Sequence, residues 1–370
     1  FNLNGHSGND TIGGGKNNDI LNGGEEQYFN EFGWDTYENG QLSMDQIIYA
    51  DFPSGINANL INGIVEDGYG SFDTISNFER MYGTFYDDII TMSNDLHRGY
   101  VPYYGNDTIY GWHELDMPNN SYLGYWHLDR DRDVTDTQII ANYDDGKVTK
   151  IINGGEFAGT YEDTFTGYIG GIVGSRGDDV LYGLSSGADY VPIAGFYSDD
   201  PSKTLDLGYG YLDGHRADDT LIALGTGKDR LVGGEGDDLI ISFGHGETDK
   251  VSGQKNNIED ISSSDYDTFV VGGSGSVIIT DYEYGDNQNN YDNSESIILL
   301  DYSISDINDL SFEYSDPIDP TLDVVHDPHD WYPKTEISIL SDNETLNNRI
   351  ILYGRFELNS FNETLFLNDY

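Results

Sequence analysis

A nine-residue pattern, with glycine first, aspartate sixth and an aliphatic residue eighth, recurs along this chain and limits its fold more than any other feature. The most regular copies are GHSGNDTIG at 5–13, GGKNNDILN at 14–22, GSRGDDVLY at 174–182 and GGEGDDLII at 233–241. Looser copies lie at 83–91, 102–110, 214–222 and 224–232. The sixth-position residues are Asp10, Asp19, Asp88, Asp107, Asp179, Asp219, Asp229 and Asp238. Asp10 and Asp19 lie nine residues apart, as do Asp229 and Asp238, so these copies join end to end.

Each position has a physical task. Glycine permits a tight left-handed turn and brings carbonyl oxygens close together; aspartate adds a carboxylate; the tail is a short strand with one side chain pointing inward. Calcium takes six to eight hard oxygens at roughly 2.3–2.6 Å, and this pattern supplies such a set. The inward aliphatics form a ladder of Ile12, Leu21, Ile90, Ile109, Leu181, Leu221, Leu231 and Ile240. Stacked turns of this kind make an all-β parallel β-roll, a solenoid in which each turn touches only its neighbours. The candidate calcium ligands are Asp10, Asp19, Asp88, Asp107, Asp179, Gly214, Asp219, Gly225, Gly227, Asp229, Gly233, Glu235 and Asp238, with Asp249 in the looser turn GHGETDKVS at 244–252.

These nonapeptides resemble the RTX family of calcium-binding repeats. The resemblance implies a region that binds several Ca2+ ions, folds outside the cell, and belongs to a protein exported by a type I secretion apparatus. The composition agrees. With 67 acidic and 17 basic residues the formal charge is −50, which excludes nucleic acid or an anionic membrane as a general partner and makes divalent cations the natural counter-charge. Without them, repulsion among carboxylates holds the chain open, so ion binding becomes part of folding. There is no cysteine, and metal ions take the supporting role that disulfides have in many secreted domains. No run approaches the roughly 20 apolar residues of a membrane span. The chain starts at Phe1 inside a repeat and is expected to be a fragment of something longer.

The organisation reads as the end of a repeat array at 1–24, an irregular β unit at 25–113, a second copy of that unit at 114–204, the main roll at 205–280 and a C-terminal β cap at 281–370. The duplication rests on aligning 46–91 with 138–182, which sets Asn62-Gly63 over Asn153-Gly154, Asp73-Thr74 over Asp163-Thr164 and Gly83 over Gly174. A short helical turn is expected around Asp73 to Arg80. The last quarter, with VIITDYEYGD, SIILLDYSISDINDLSFEY, TEISILS, NRIILYGRF and NETLFLND, is similar to the cap and secretion region of type I substrates. A polar loop at 315–334 interrupts it.

Sharper motifs are weaker. GLSSG at 183–187 matches a nucleophile elbow around Ser185 but lacks the strand-to-helix setting the elbow needs. DPHD at 327–330 resembles the active-site core of alginate C5-epimerases, in which Asp327, His329 and Asp330 would move a uronate proton, yet Val324, Val325 and His326 replace the residues that precede that motif. HELDM at 113–117 lacks the second histidine of a zinc-protease helix. The Asp-Pro bonds at Asp200, Asp316, Asp319 and Asp327 match the bond cleaved by some self-processing modules, though four are near chance in so acidic a chain. Tyr100, Tyr103, Tyr104, Tyr110, Trp112, Tyr122, Tyr125 and Trp126 bunch together, either stacking on sugars or covering an irregular end of the solenoid. No catalytic residue is assigned. The reading is a calcium-binding region of a secreted or cell-surface bacterial protein, such as an adhesin, that meets extracellular polysaccharide or a cell surface; the alternatives are a polysaccharide-modifying enzyme and a carbohydrate-binding module.

Overall fold

The computed structural model of the chain describes residues 1–24, 28–29, 35–36, 45–93, 99–111, 122–129, 133–167, 169–183, 209–223, 228–242, 248–252, 267–272, 276–279, 296–300, 310–315, 334–339, 349–353 and 365–366. They are all-β, without a helix, and no helix among them is long and apolar enough to cross a membrane. The chain divides into two compact units, Phe1–Arg176 and Gly177–Tyr370.

In the first unit, short strands stack in parallel on two sheets. One sheet brings Ile12, Ile47, Met81, Tyr100, Leu123 and Ile172 into one register row. The other aligns Ala58, Ile90, Ile109 and Phe165. Every residue in these two rows is buried. The eighth-position aliphatics of the repeats are therefore the spine of the core, each fully buried side chain contributing roughly 1.5–3 kcal/mol. In the second unit Leu181, Leu221, Ile240 and Phe269 form one such row, and Leu212 and Leu231 align on the facing sheet. Towards its C-terminal end, Ser276–Ile279 pairs in parallel with Arg349–Tyr353, and Leu310–Ser315, Lys334–Ile339 and Arg349–Tyr353 form an antiparallel meander.

Two antiparallel hairpins interrupt the parallel stacking of the first unit. The shorter joins Asn57–Asn59 to Ile64–Glu66, followed by Phe72–Ser76. The longer joins Val134–Asn142 to Lys147–Gly154, followed by Gly159–Thr166. Both are the same device. Gly63 accepts from the Ile75 amide (2.8 Å) as Gly146 accepts from that of Phe165 (2.7 Å), and the two glycines share a left-handed φ of 63° and 60°. Asp73 thus matches Asp163, as expected, but Gly63 matches Gly146 and not Gly154. The second hairpin has longer strands, and its own end supplies another glycine turn at Gly154, which the sequence alignment takes for the first. The expected helical turn near Asp73 is instead the strand Phe72–Ser76, in which Asp73 and Ile75 point inward and Phe72, Thr74 and Ser76 outward. That period of two belongs to a strand.

Candidate metal centre

Seven of the eight sixth-position aspartates, all but Asp229, stand just before their strands at the point where the turn folds back. The main-chain N–H of each of these seven donates to a carboxylate in the following turn, so the carboxylates stack as a ladder. In the second unit the Asp179 amide donates to Asp219 (2.8 Å), the Asp219 amide to Asp238 (2.9 Å) and the Asp238 amide to Asp267 (2.9 Å). In the first unit Asp88 donates to Asp107 (2.8 Å) and Asp107 to Asp163 (2.9 Å), while Asp19 donates to Asp73 (2.9 Å). A further run on the facing side links the Asp10 amide to Asp45 (2.7 Å) and the Asp45 amide to Glu79 (2.6 Å). Outside these rungs lies a second, exposed ladder of fifth-position side chains, in which Asp218 accepts from the Asp237 amide and Asp87 from the Asn106 amide.

The glycines in front of the ladder leave room for oxygens. A Cβ on Gly214 would overlap Asp219 Oδ2 and lie 2.5 Å from the Gly233 carbonyl oxygen. One on Gly5 would overlap the Gly23 carbonyl oxygen and lie 2.5 Å from Asp10 Oδ2. Asp219 Oδ2 and Asp10 Oδ2 are both buried without a hydrogen-bond donor. Gly234 and Gly236, the second and fourth residues of their repeat, have φ of 125° and 137°, which L side chains rarely adopt. The loop around Asp219 therefore sets a carboxylate oxygen without a donor beside a main-chain carbonyl, a donor set that suits a hard cation such as calcium. Among the described residues no three His, Asp or Glu side chains gather closely enough to hold a metal unaided, so main-chain oxygens must complete the shell.

The remaining expected ligands divide by their surroundings. Asp88 accepts four hydrogen bonds, from the amides of Ile56 and Thr84 and the hydroxyls of Thr84 and Tyr100. Asp107 and Asp163 enclose the fully buried ammonium of Lys150, at 3.1 and 2.6 Å. Asp19 accepts from the Gly15 amide (2.8 Å) and meets the amino group of Phe1. Asp179 and Asp238 are buried rungs, Gly233 lends its carbonyl to the Asp219 loop, and Glu235 is exposed beside Arg216 at 3.3 Å. Gly225 and Gly227 lie outside the described residues, as do the side chains of Asp229 and Asp249. Ser185, HELDM, DPHD, Trp112 and the four Asp-Pro bonds also lie outside them.

Sequence reasoning missed Asp45, Asp67, Asp73, Asp163, Asp267 and Lys150. The available signal was the dipeptide Asp-Thr, which marks the ladder rungs at 73, 163 and 267 as it does at 107 and 219. Of the aromatic bunch, Tyr100, Tyr103, Tyr104 and Tyr125 are interior, while Tyr122 and Trp126 both lie against the Arg80 guanidinium. The interior rings cap carboxylates or pack the core.

Burial, together with the charges of Asp179 and Asp238, pushes the Asp219 carboxyl up to about 10, against about 3.9 in an unfolded chain. A raised folded value means that the ion-free fold is favoured below about pH 4 and loses that contribution as pH rises towards 10. In chelator, the segment around Asp219 is accordingly expected to retain folded signal at pH 5 that it lacks at pH 8. The difference should shrink in Asp219→Asn, and equal shrinkage in a variant of an exposed aspartate such as Asp51→Asn would assign the effect to overall charge instead.

A family model described as the RTX calcium-binding nonapeptide repeat (4 copies) matches residues 2–27, 172–191 and 224–244. No curated protein matches the chain.

Proposed function

Because this chain carries RTX calcium-binding nonapeptide repeats, we propose that it is the calcium-folded region of a secreted bacterial protein, part of an adhesin or another large protein exported by a type I apparatus. The observation that carries the reading is the Asp219 loop. There a buried carboxylate oxygen without a donor faces the carbonyl of Gly233 across a glycine that can carry no side chain. Asp219, Gly214 and Gly233 would hold an ion in that loop, and Asp10 with Gly5 and Gly23 would hold one in the first array. The ion supplies positive charge that neutralises stacked carboxylates and ties one turn to the next. The protein supplies the rungs, which hold the carboxylates in register around the ion. A net charge of −50 opposes collapse wherever calcium is scarce, and millimolar calcium outside the cell reverses that balance. The repeats are structural, and no observation favours a catalytic role for them.

Titration calorimetry of the whole chain tests this. Calcium should bind at several sites per chain, with magnesium giving no comparable heat because it demands a smaller octahedral shell. Gly214→Ala should weaken one of those sites by about tenfold to a hundredfold, since the added methyl displaces a ligand oxygen. A chain that takes up no calcium, or a Gly214→Ala variant with unaltered binding, would remove the basis for the reading.

A further inference from the structure

The two hairpins of the first unit are one device built twice, and they treat the same carboxylates differently. The correspondence runs residue by residue through hydrogen bonds. Asp19 donates its amide to Asp73 and Asp107 to Asp163, each at 2.9 Å. The Thr74 and Thr164 amides return to the carbonyls of Asp19 and Asp107, each at 2.8 Å. Tyr49 donates its hydroxyl to Asp73 Oδ2 (3.1 Å) and Tyr125 to Asp163 Oδ2 (3.0 Å). The amides of Phe72 and Glu162 find Asn18 and Asn106. Val65 pairs with Asp73 as Val148 pairs with Asp163, and both valines are fully buried.

Two residues beyond each valine stand Asp67 and Lys150. Lys150 is fully buried and its ammonium lies between Asp107 and Asp163. Asp67 is 3% exposed. Its Oδ1 accepts from the amides of Tyr69 and Ser71, while its Oδ2 is buried with no partner. The charges of Asp19 and Asp67 both act on Asp73, and the Cα of Gly14 borders Asp73 Oδ2 on the side where a Cβ would come within 2.8 Å. The first copy therefore has three carboxylates where the second has two carboxylates and an ammonium. Asp19 meets the Phe1 amino group, but nothing of that kind reaches Asp67.

We propose that Asp67 and Asp73, with Asp19, form a calcium site in the first copy, and that Lys150 takes the place of that ion in the second. A calcium ion bound to the Asp67 oxygen would lie roughly 2.4 Å from it, and Lys150 occupies the matching register position in the second hairpin. The three carboxylates do not converge on one point in the structure, so main-chain oxygens and water would complete the ion's shell. Asp67 lies outside every nonapeptide, so the repeat pattern does not point to it. The device thus exists in an ion-requiring form and an ion-free form within one unit.

The proposal rests on the chain being a calcium binder, and the experiment separates the two. Bound calcium is counted by equilibrium dialysis and elemental analysis on the full chain, with hydrogen exchange followed at 64–76 and 147–166. In the parent chain 147–166 should stay protected in chelator, while 64–76 gains protection only with calcium. Asp67→Asn should lose one ion. Asp67→Lys should also lose one but keep 64–76 protected in chelator, as its twin is, which distinguishes a lost site from a misfolded one. Lys150→Asp should gain one ion and make 147–166 calcium-dependent. Calcium bound elsewhere with an unchanged count in both Asp67 variants would overturn this site alone; no calcium bound to the parent chain would overturn the functional reading with it.

Discussion

In calcium-free buffer the main-chain amides of Thr220–Ala223 and Leu239–Ser242 should exchange as in an unfolded chain, and calcium at about 10 mM should slow them by several orders of magnitude. The size of the effect follows from the ladder. Asp179, Asp219, Asp238 and Asp267 are buried one above another, at 1% exposure each, and Asp219 Oδ2 has no donor. Stacked carboxylates out of water repel strongly unless each is neutralised or met by a cation. Each ion stabilises by RT ln(1 + [Ca]/Kd), about 1.4–2.7 kcal/mol at 10 mM for the 10⁻⁴–10⁻³ M affinities usual in extracellular modules. Three such ions contribute about 4–8 kcal/mol, comparable with the whole stability of a typical domain. Folding of this segment is therefore expected to switch with calcium in a steep, cooperative step. Hydrogen exchange by mass spectrometry, with magnesium as control, reads it directly; equal protection in chelator would show that the ladder holds without ions.

Replacing Lys150 by Met should destabilise the longer hairpin by about 3–5 kcal/mol. Among the described residues the ammonium is the one cation in contact with both Asp107 and Asp163, all three side chains having no solvent exposure. Burial opposes its charge, but the two aspartates outweigh burial and hold the ammonium above its ordinary value. Methionine fills a similar volume, so the loss measures charge rather than a cavity. Urea unfolding followed at the 147–166 amides gives the number. Lys150→Met combined with Asp163→Asn, which leaves a single buried carboxylate, should recover part of the loss. An unchanged midpoint in the single variant would mean that the pair is neutral in the fold.

Much of this was legible in the sequence because the repeat is a local code. The eighth-position aliphatics could be named as a core ladder before any coordinate, and all eight, from Ile12 to Ile240, are buried. The aspartates could be placed at turn ends for the same reason. What a local code cannot carry is partnership across the stack. Lys150 is 43 residues from Asp107 in the chain, and on its own it reads as one polar residue in an alternating strand. Asp88 matches the repeat as well as Asp219 does, yet Thr84, Ile56 and Tyr100 satisfy it while the Asp219 oxygen waits. Only the identity of the neighbouring turn separates the two. The duplicated hairpin was visible through Asp73 and Asp163, but its glycine was misassigned because hairpin length is set by strand pairing, which a string of Asn and Gly does not encode.

The rungs also have a direction. In every buried run the amide of one turn is served by the carboxylate of the turn that follows it in the chain, from Asp179 through to Asp267 and from Asp88 through to Asp163, whereas the exposed fifth-position ladder runs the opposite way, Asp237 donating back to Asp218 and Asn106 to Asp87. The interior of the stack is therefore one-way, and only its exposed edge runs back. A chain released from its C-terminal end presents each buried acceptor before the amide that needs it, so the interior of every new turn docks onto a finished surface. Released from the other end, each turn would hold an unanswered amide until its successor arrived. The order in which this polymer is set free decides whether it grows by addition or must wait and close all at once.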